Sequence, residues 1–127
     1  MGDKTATDLT ILLVEDFEDT RLMMRLELES RGYRVIEAAD GQTAVDLALQ
    51  EHPDVILMDL SLPYIDGFEA TKLIRADGMM QNVTIIAVTA HHESTFRQGA
   101  KTSGFDAYVT KPIDMDWLHE LISGLRS

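Results

Sequence analysis

Three acids and one lysine stand where apolar runs of this chain end. Glu15 and Asp16 follow ILLV, Asp59 follows VILM, and Lys111 follows AYVT. Thr89 follows IIAV in the same way. Acids occupy 22 of 127 positions and lysine only four, so this set is far from the background of the composition. Carboxylates converging within about 5 Å repel by about 3 kcal/mol per pair at an effective dielectric near 20. Left alone, one of them would hold a proton. A hard divalent cation removes the repulsion instead. Carboxylate oxygens, a backbone carbonyl and water suit Mg²⁺, and magnesium held by few carboxylates commonly serves a phosphate. The Lys111 ammonium and the Thr89 hydroxyl suit phosphoryl oxygens. Asp59 is then available as a nucleophile that forms an acyl phosphate.

The elements that must position these groups alternate between two periodicities. Leu9–Val14, Tyr33–Ala38, Val55–Met58, Val83–Val88 and Ala107–Val109 are short apolar or β-branched runs, several of them continuous, as in strands covered on both faces. Between them run helical stripes: Leu22, Met23 and Leu26; Ala44, Val45, Ala48 and Leu49; Leu118, Leu121, Ile122 and Leu125. Gly32 stops the first helix, Asp66 with Glu69 has capping-box spacing, and Asp114 can cap the last helix. The Asp77–Asn82 stretch reads as a loop. Strand and helix alternating five times predict a single-domain α/β fold, a doubly wound parallel sheet with right-handed crossovers. Sites in such folds form at the carboxyl ends of the strands, which is where Asp59 falls.

Length and composition exclude several classes. A chain of 127 residues suits one domain. It contains no cysteine, so neither disulfides nor thiolates contribute. A formal net charge of -11 disfavours nucleic acid and anionic membranes as direct partners. No apolar stretch approaches the length of a membrane span, and the first residues lack the pattern of a secretory signal. A cytoplasmic location is expected. Residues 1–8 are polar and expected to be a flexible segment ahead of a domain covering 9–127.

The stretches LLVED, VILMDLSLPYIDGFEATKLIR, IIAVTA and GFDAYVTKP, in this order and spacing, resemble the receiver domain of bacterial two-component response regulators, the CheY-like family. The resemblance covers Leu9 to Leu125. It implies a (βα)5 flavodoxin-like sheet of strand order 2-1-3-4-5. It also implies that Asp59 is the phosphoacceptor, and that Glu15, Asp16, Asp59 and the Ser61 backbone carbonyl hold Mg²⁺. Lys111 then contacts the phosphoryl group, across a cis peptide to Pro112. Thr89 is the switch hydroxyl and Tyr108 the aromatic that follows it. The implied donor is a histidine kinase or a histidine phosphotransfer protein. The implied output is the face of the fourth helix, fifth strand and fifth helix, which would control a downstream effector protein. Such a domain modifies itself and is not a turnover enzyme. It is expected to be a monomer at rest, open to dimerising through that face once phosphorylated. No output domain fits after Leu125, which leaves a stand-alone regulator, a phosphorelay intermediate and a piece of a longer protein all open.

Two other classes fare worse. A flavodoxin-like cofactor binder needs a Ser/Thr/Gly-rich phosphate loop after the first strand, and EDFED would repel a flavin phosphate. A magnesium phosphohydrolase with an aspartyl nucleophile commonly has a second acid two residues on, where this chain has Ser61. His91 and His92 have no metal-ligand spacing and read as exposed loop residues. Met79 and Met80 read as loop or packing filler, and Trp117 as either core or partner surface.

Overall fold

Every second residue of each central strand faces the same way, and this chain covers both faces. The computed structural model describes residues 9–62, 64–90 and 104–126. Five strands form one parallel sheet: β1 (Thr10–Val14), β2 (Arg34–Ala38), β3 (Val55–Asp59), β4 (Thr84–Thr89) and β5 (Ala107–Thr110). Their order is β2-β1-β3-β4-β5, as the resemblance implies. The α-helices among the described residues are α1 (Glu18–Ser30), α2 (Gly41–Glu51), α3 (Gly67–Arg75) and α4 (Met115–Arg126). The helix expected between the fourth and fifth strands falls outside the described residues, so the fifth helix expected from the sequence is α4 here. The segment 1–8 and His91 and His92 also lie outside them.

Strand alternation sorts the core into two layers. Leu12, Val14, Ile56, Met58, Ile85 and Ala87 meet Ala44 and Ala48 of α2 and Ala70 and Ile74 of α3. Ile11, Leu13, Val55, Leu57, Ile86 and Val88 meet Met24 and Leu28 of α1 and Leu118 and Ile122 of α4. Both layers cover β3, which is buried along its whole length. This is why its sequence is a continuous apolar run. Truncating a fully buried residue such as Ile56 to Ala would cost about 2–5 kcal/mol.

Capping follows the sequence signals closely. The Asp66 carboxylate accepts from the Glu69 N–H, and Asp114 accepts from the Trp117 N–H. Gly32, at φ 96°, occupies the left-handed position after α1 that a side chain would resist. Two local expectations are corrected. The Asp77–Asn82 stretch contains a 3-10 turn, Gly78–Met80, which plugs Met80 into the core while Met79 stays exposed. The stripe of Leu22, Met23 and Leu26 does not face the core: all three are exposed, and Met24 and Leu28 are the buried residues of α1. The helical period is present, but a helix with apolar residues on more than one side does not reveal which side it buries.

Candidate functional site

Parallel register carries the acids to one level. Val14 pairs with Met58, so Glu15 and Asp59, each one residue further on, stand side by side at the ends of β1 and β3. Asp59 pairs in turn with Val88, and Thr89 with Thr110. Lys111 is the next residue, and its N–H bonds to the Thr89 carbonyl. Oxygens of Glu15, Asp16 and Asp59 all lie within 4.8 Å of one another. Glu15 and Asp59 are each only 3% exposed, whereas Asp16 is open to solvent.

Each buried oxygen has a donor. Lys111 Nζ reaches Glu15 Oε1 at 3.0 Å and Asp59 Oδ2 at 3.3 Å. The Phe17 N–H bonds to Glu15 Oε2 at 3.0 Å, and the Ser61 N–H to Asp59 Oδ1 at 2.8 Å. Burial pushes the Glu15 carboxyl above its usual range, and the charge of Asp59 adds to this. The Phe17 N–H and Lys111 pull the other way without cancelling it. Burial alone would lower Lys111, but the hydrogen bond to Glu15 and the charges of Asp59 and Glu15 outweigh it, so the ammonium is held more firmly than usual. Among the described residues, Lys111 therefore pairs with two carboxylates of a group of three. The remaining negative charge, the hard oxygen donors and the exposed side of Asp16 fit a divalent cation such as Mg²⁺.

The other expected residues lie on β4, on β5 and in the turn after β3. Ser61 is exposed and follows Asp59 by two positions, joined to it by the hydrogen bond from its N–H. Thr89 is buried at the end of β4. Tyr108 is half-buried on β5, packed against the layer that holds α2 and α3. The Lys111–Pro112 peptide is cis. Trp117 is half-exposed and, with Tyr108, Ile113 and Leu121, lines an open cavity of about 660 Å³.

Some contributors escaped the sequence reading. A Cβ on Gly67 would overlap the Asp59 carbonyl oxygen, so glycine is what lets α3 begin directly against the backbone of Asp59. The only signal was its place after the cap Asp66. Tyr64, in the loop leading there, is fully exposed at φ 64°, a left-handed conformation uncommon for a non-glycine residue.

Response regulator receiver domains match residues 11–123. The chain belongs to this family. It is 36% identical over 113 residues to the polar-differentiation response regulator DivK of Brucella ovis, covering 89% of this chain and 92% of the relative. Among solved structures it is similar to the receiver domain of a Pseudomonas aeruginosa sensor histidine kinase, with 38% identity and a TM-score of 0.86. That likeness covers 92% of this chain and 96% of the other, whose structure has a magnesium ion coordinated in the active-site cleft. It is also similar to the chemotaxis response regulator CheY4 of Vibrio cholerae, with 28% identity, a TM-score of 0.86 and coverage of 92% and 98%. Receiver domains act in two-component signalling between histidine kinases and downstream effectors, and are not turnover enzymes. No helix among the described residues is long and apolar enough to cross a membrane.

Proposed function

We propose that this receiver domain takes a phosphoryl group on Asp59 from a histidine kinase or phosphotransfer protein in the cytoplasm, and switches a protein-binding face in response. The observation that carries this reading is the convergence of Glu15, Asp16, Asp59 and Lys111 on one small pocket. Glu15, Asp16, Asp59 and the Ser61 backbone carbonyl would hold Mg²⁺, which neutralises charge on phosphoryl oxygens when bound.

In the transfer, a carboxylate oxygen of Asp59 attacks phosphorus. The phosphorus–nitrogen bond of the donor phosphohistidine breaks, and its electron pair returns to the imidazole. Lys111, already within 3.3 Å of Asp59, swings its ammonium onto the incoming phosphoryl oxygens. The Thr89 hydroxyl then turns toward the modified Asp59, and Tyr108 moves into the space it leaves. The phosphoryl group biases this equilibrium only through contacts that differ between the two states. Tyr108 lies beside the open cavity with Trp117 and Leu121, so its movement changes the surface offered to an effector.

Incubation with Mg²⁺ and acetyl phosphate tests the site. The expected product carries one acid-stable, hydroxylamine-labile phosphoryl group, absent from Asp59→Asn. Full incorporation by Asp59→Asn would overturn the assignment, and sustained release of phosphate would point to a hydrolase. Light scattering with and without beryllofluoride tests the monomer at rest and the dimer once activated.

A further inference from the structure

Asp16 has no side-chain hydrogen bond among the described residues, so its aim depends on its backbone. The Glu15–Asp16 peptide leaves β1 just where the strand ladder ends: the Glu15 N–H still bonds to the Ala38 carbonyl at 3.1 Å. The Glu15 carbonyl instead accepts from Arg21 Nη1 at 2.9 Å. Arg21 sits one turn into α1, its own N–H bonded to the Phe17 carbonyl. Its Nε donates to Glu37 Oε1 of β2 at 3.1 Å. The second oxygen of Glu37 accepts from Arg25 Nη1 at 2.7 Å. The Arg21 side chain is 18% exposed, which makes this a partly desolvated and oriented contact.

We propose that Arg21, anchored by Glu37, is a positioning residue for the acid cluster. It fixes the plane of the Glu15–Asp16 peptide, and with it the direction in which Asp16 leaves the backbone. A guanidinium suits this task because its planar fork can hold a carboxylate with one nitrogen and a carbonyl with another. Arg25 braces Glu37 from the next turn. The inference rests on the reading of Glu15, Asp16 and Asp59 as a magnesium site, and it concerns how the metal-free protein prepares that site.

Calorimetric titration of MgCl₂ into the full chain tests it, with amide relaxation of Asp16 in the magnesium-free protein as a second readout. Arg21→Met is expected to weaken Mg²⁺ about tenfold and to loosen the Asp16 amide. Glu37→Gln, which keeps shape and one acceptor, should weaken it less, and it serves if Arg21→Met folds poorly. Arg31→Met breaks an ion pair with Asp116 elsewhere on the molecule and should leave both readouts unchanged. Wild-type affinity and an unaltered Asp16 amide in Arg21→Met, or equal weakening by Arg31→Met, would overturn the positioning role alone. If Asp16→Asn also binds Mg²⁺ as wild type does, the reading of the site itself fails.

Discussion

The two ends of the sheet use charge in opposite ways. At the amino end, Arg75 and Arg126 are matched by the protein. Arg75 donates to the carbonyls of Gly104, Met80, Gln81 and Val83 and to the Asp106 carboxylate. Asp106 also accepts the Ile85 N–H. Arg126 reaches Asp54, Asn82 and Thr84, and Asp54 accepts the Thr10 N–H. At the carboxyl end, Glu15 and Asp59 share Lys111, and Asp16 stands beside them without a side-chain partner among the described residues. The amino-end charges are matched by their neighbours, whereas the acids of the proposed Mg²⁺ site are left in excess. The difference marks the acid cluster as the candidate for chemistry without reference to any relative.

The largest effect should come from breaking the saturated end. Arg75→Ala strips four carbonyls and Asp106 of a donor, with an expected cost of about 3 kcal/mol. The melting temperature should fall by about 10 °C, measured by calorimetry. Magnesium affinity should stay as in the intact protein, because the substitution lies at the opposite end of the strands. A matching loss of Mg²⁺ affinity would mean that the two ends are coupled.

The unsaturated end should respond in the reverse sense. Glu15→Gln removes a charge that burial disfavours, so the metal-free protein should become more stable at neutral pH while Mg²⁺ binds about three- to tenfold more weakly. The sign comes from linkage. A folded-state carboxyl held above its ordinary 4.5 stabilises the fold below that value and loses the contribution as pH rises through the folded value. The advantage of Glu15→Gln should therefore grow from about that pH upward. Denaturant midpoints across pH, with and without Mg²⁺, measure it. A variant less stable than wild type throughout would show that the salt link to Lys111 outweighs the burial.

A smaller effect belongs to the contact that ties the entry of β2 to α4. Tyr33 is buried, and its hydroxyl lies 2.6 Å from His119 Nδ1. Tyr33→Phe should cost about 1 kcal/mol near neutrality. Burial raises the phenol above its ordinary 10.0, with Arg31 acting against it. Wild type should thus lose stability as pH climbs from about 10 through the folded value, and the Phe variant should lack that slope. Alkaline denaturation curves for the two proteins check this.

Legibility in the sequence divides along the same line. The strand-end positions of Asp59, Glu15, Asp16 and Lys111 could be read because a strand, unlike a loop, fixes both the direction and the level of the residue at its exit. The layers were legible because alternating strand residues must be covered. The buried side of α1 was not, since Leu22, Met23 and Leu26 are as apolar as Met24 and Leu28, and only tertiary packing chooses between them. Nor was Arg21 legible. It reaches a carbonyl across a turn, and sequence carries no record of which carbonyls the strand ladder leaves unserved.

The smallest prediction concerns an acid at the carboxyl end that does not obey the rule of excess. Asp40 lies beyond β2 and caps α2, where its carboxylate accepts the Thr43 N–H at 2.7 Å. That N–H holds the carboxyl below its ordinary 3.8. The stabilisation is present above this value and fades as pH falls through the folded one. Asp40→Ala should cost about 1 kcal/mol at neutral pH, Asp40→Asn less, and the difference from wild type should shrink in acid. Magnesium affinity should not change, because Asp40 has its donor and is not among the converging acids. Urea melts at neutral and acidic pH, paired with a Mg²⁺ titration, measure all three. If Asp40→Ala weakened Mg²⁺ as Glu15→Gln does, position at the carboxyl end would matter more than a surplus of unmatched charge, and the contrast between the two ends would need another cause.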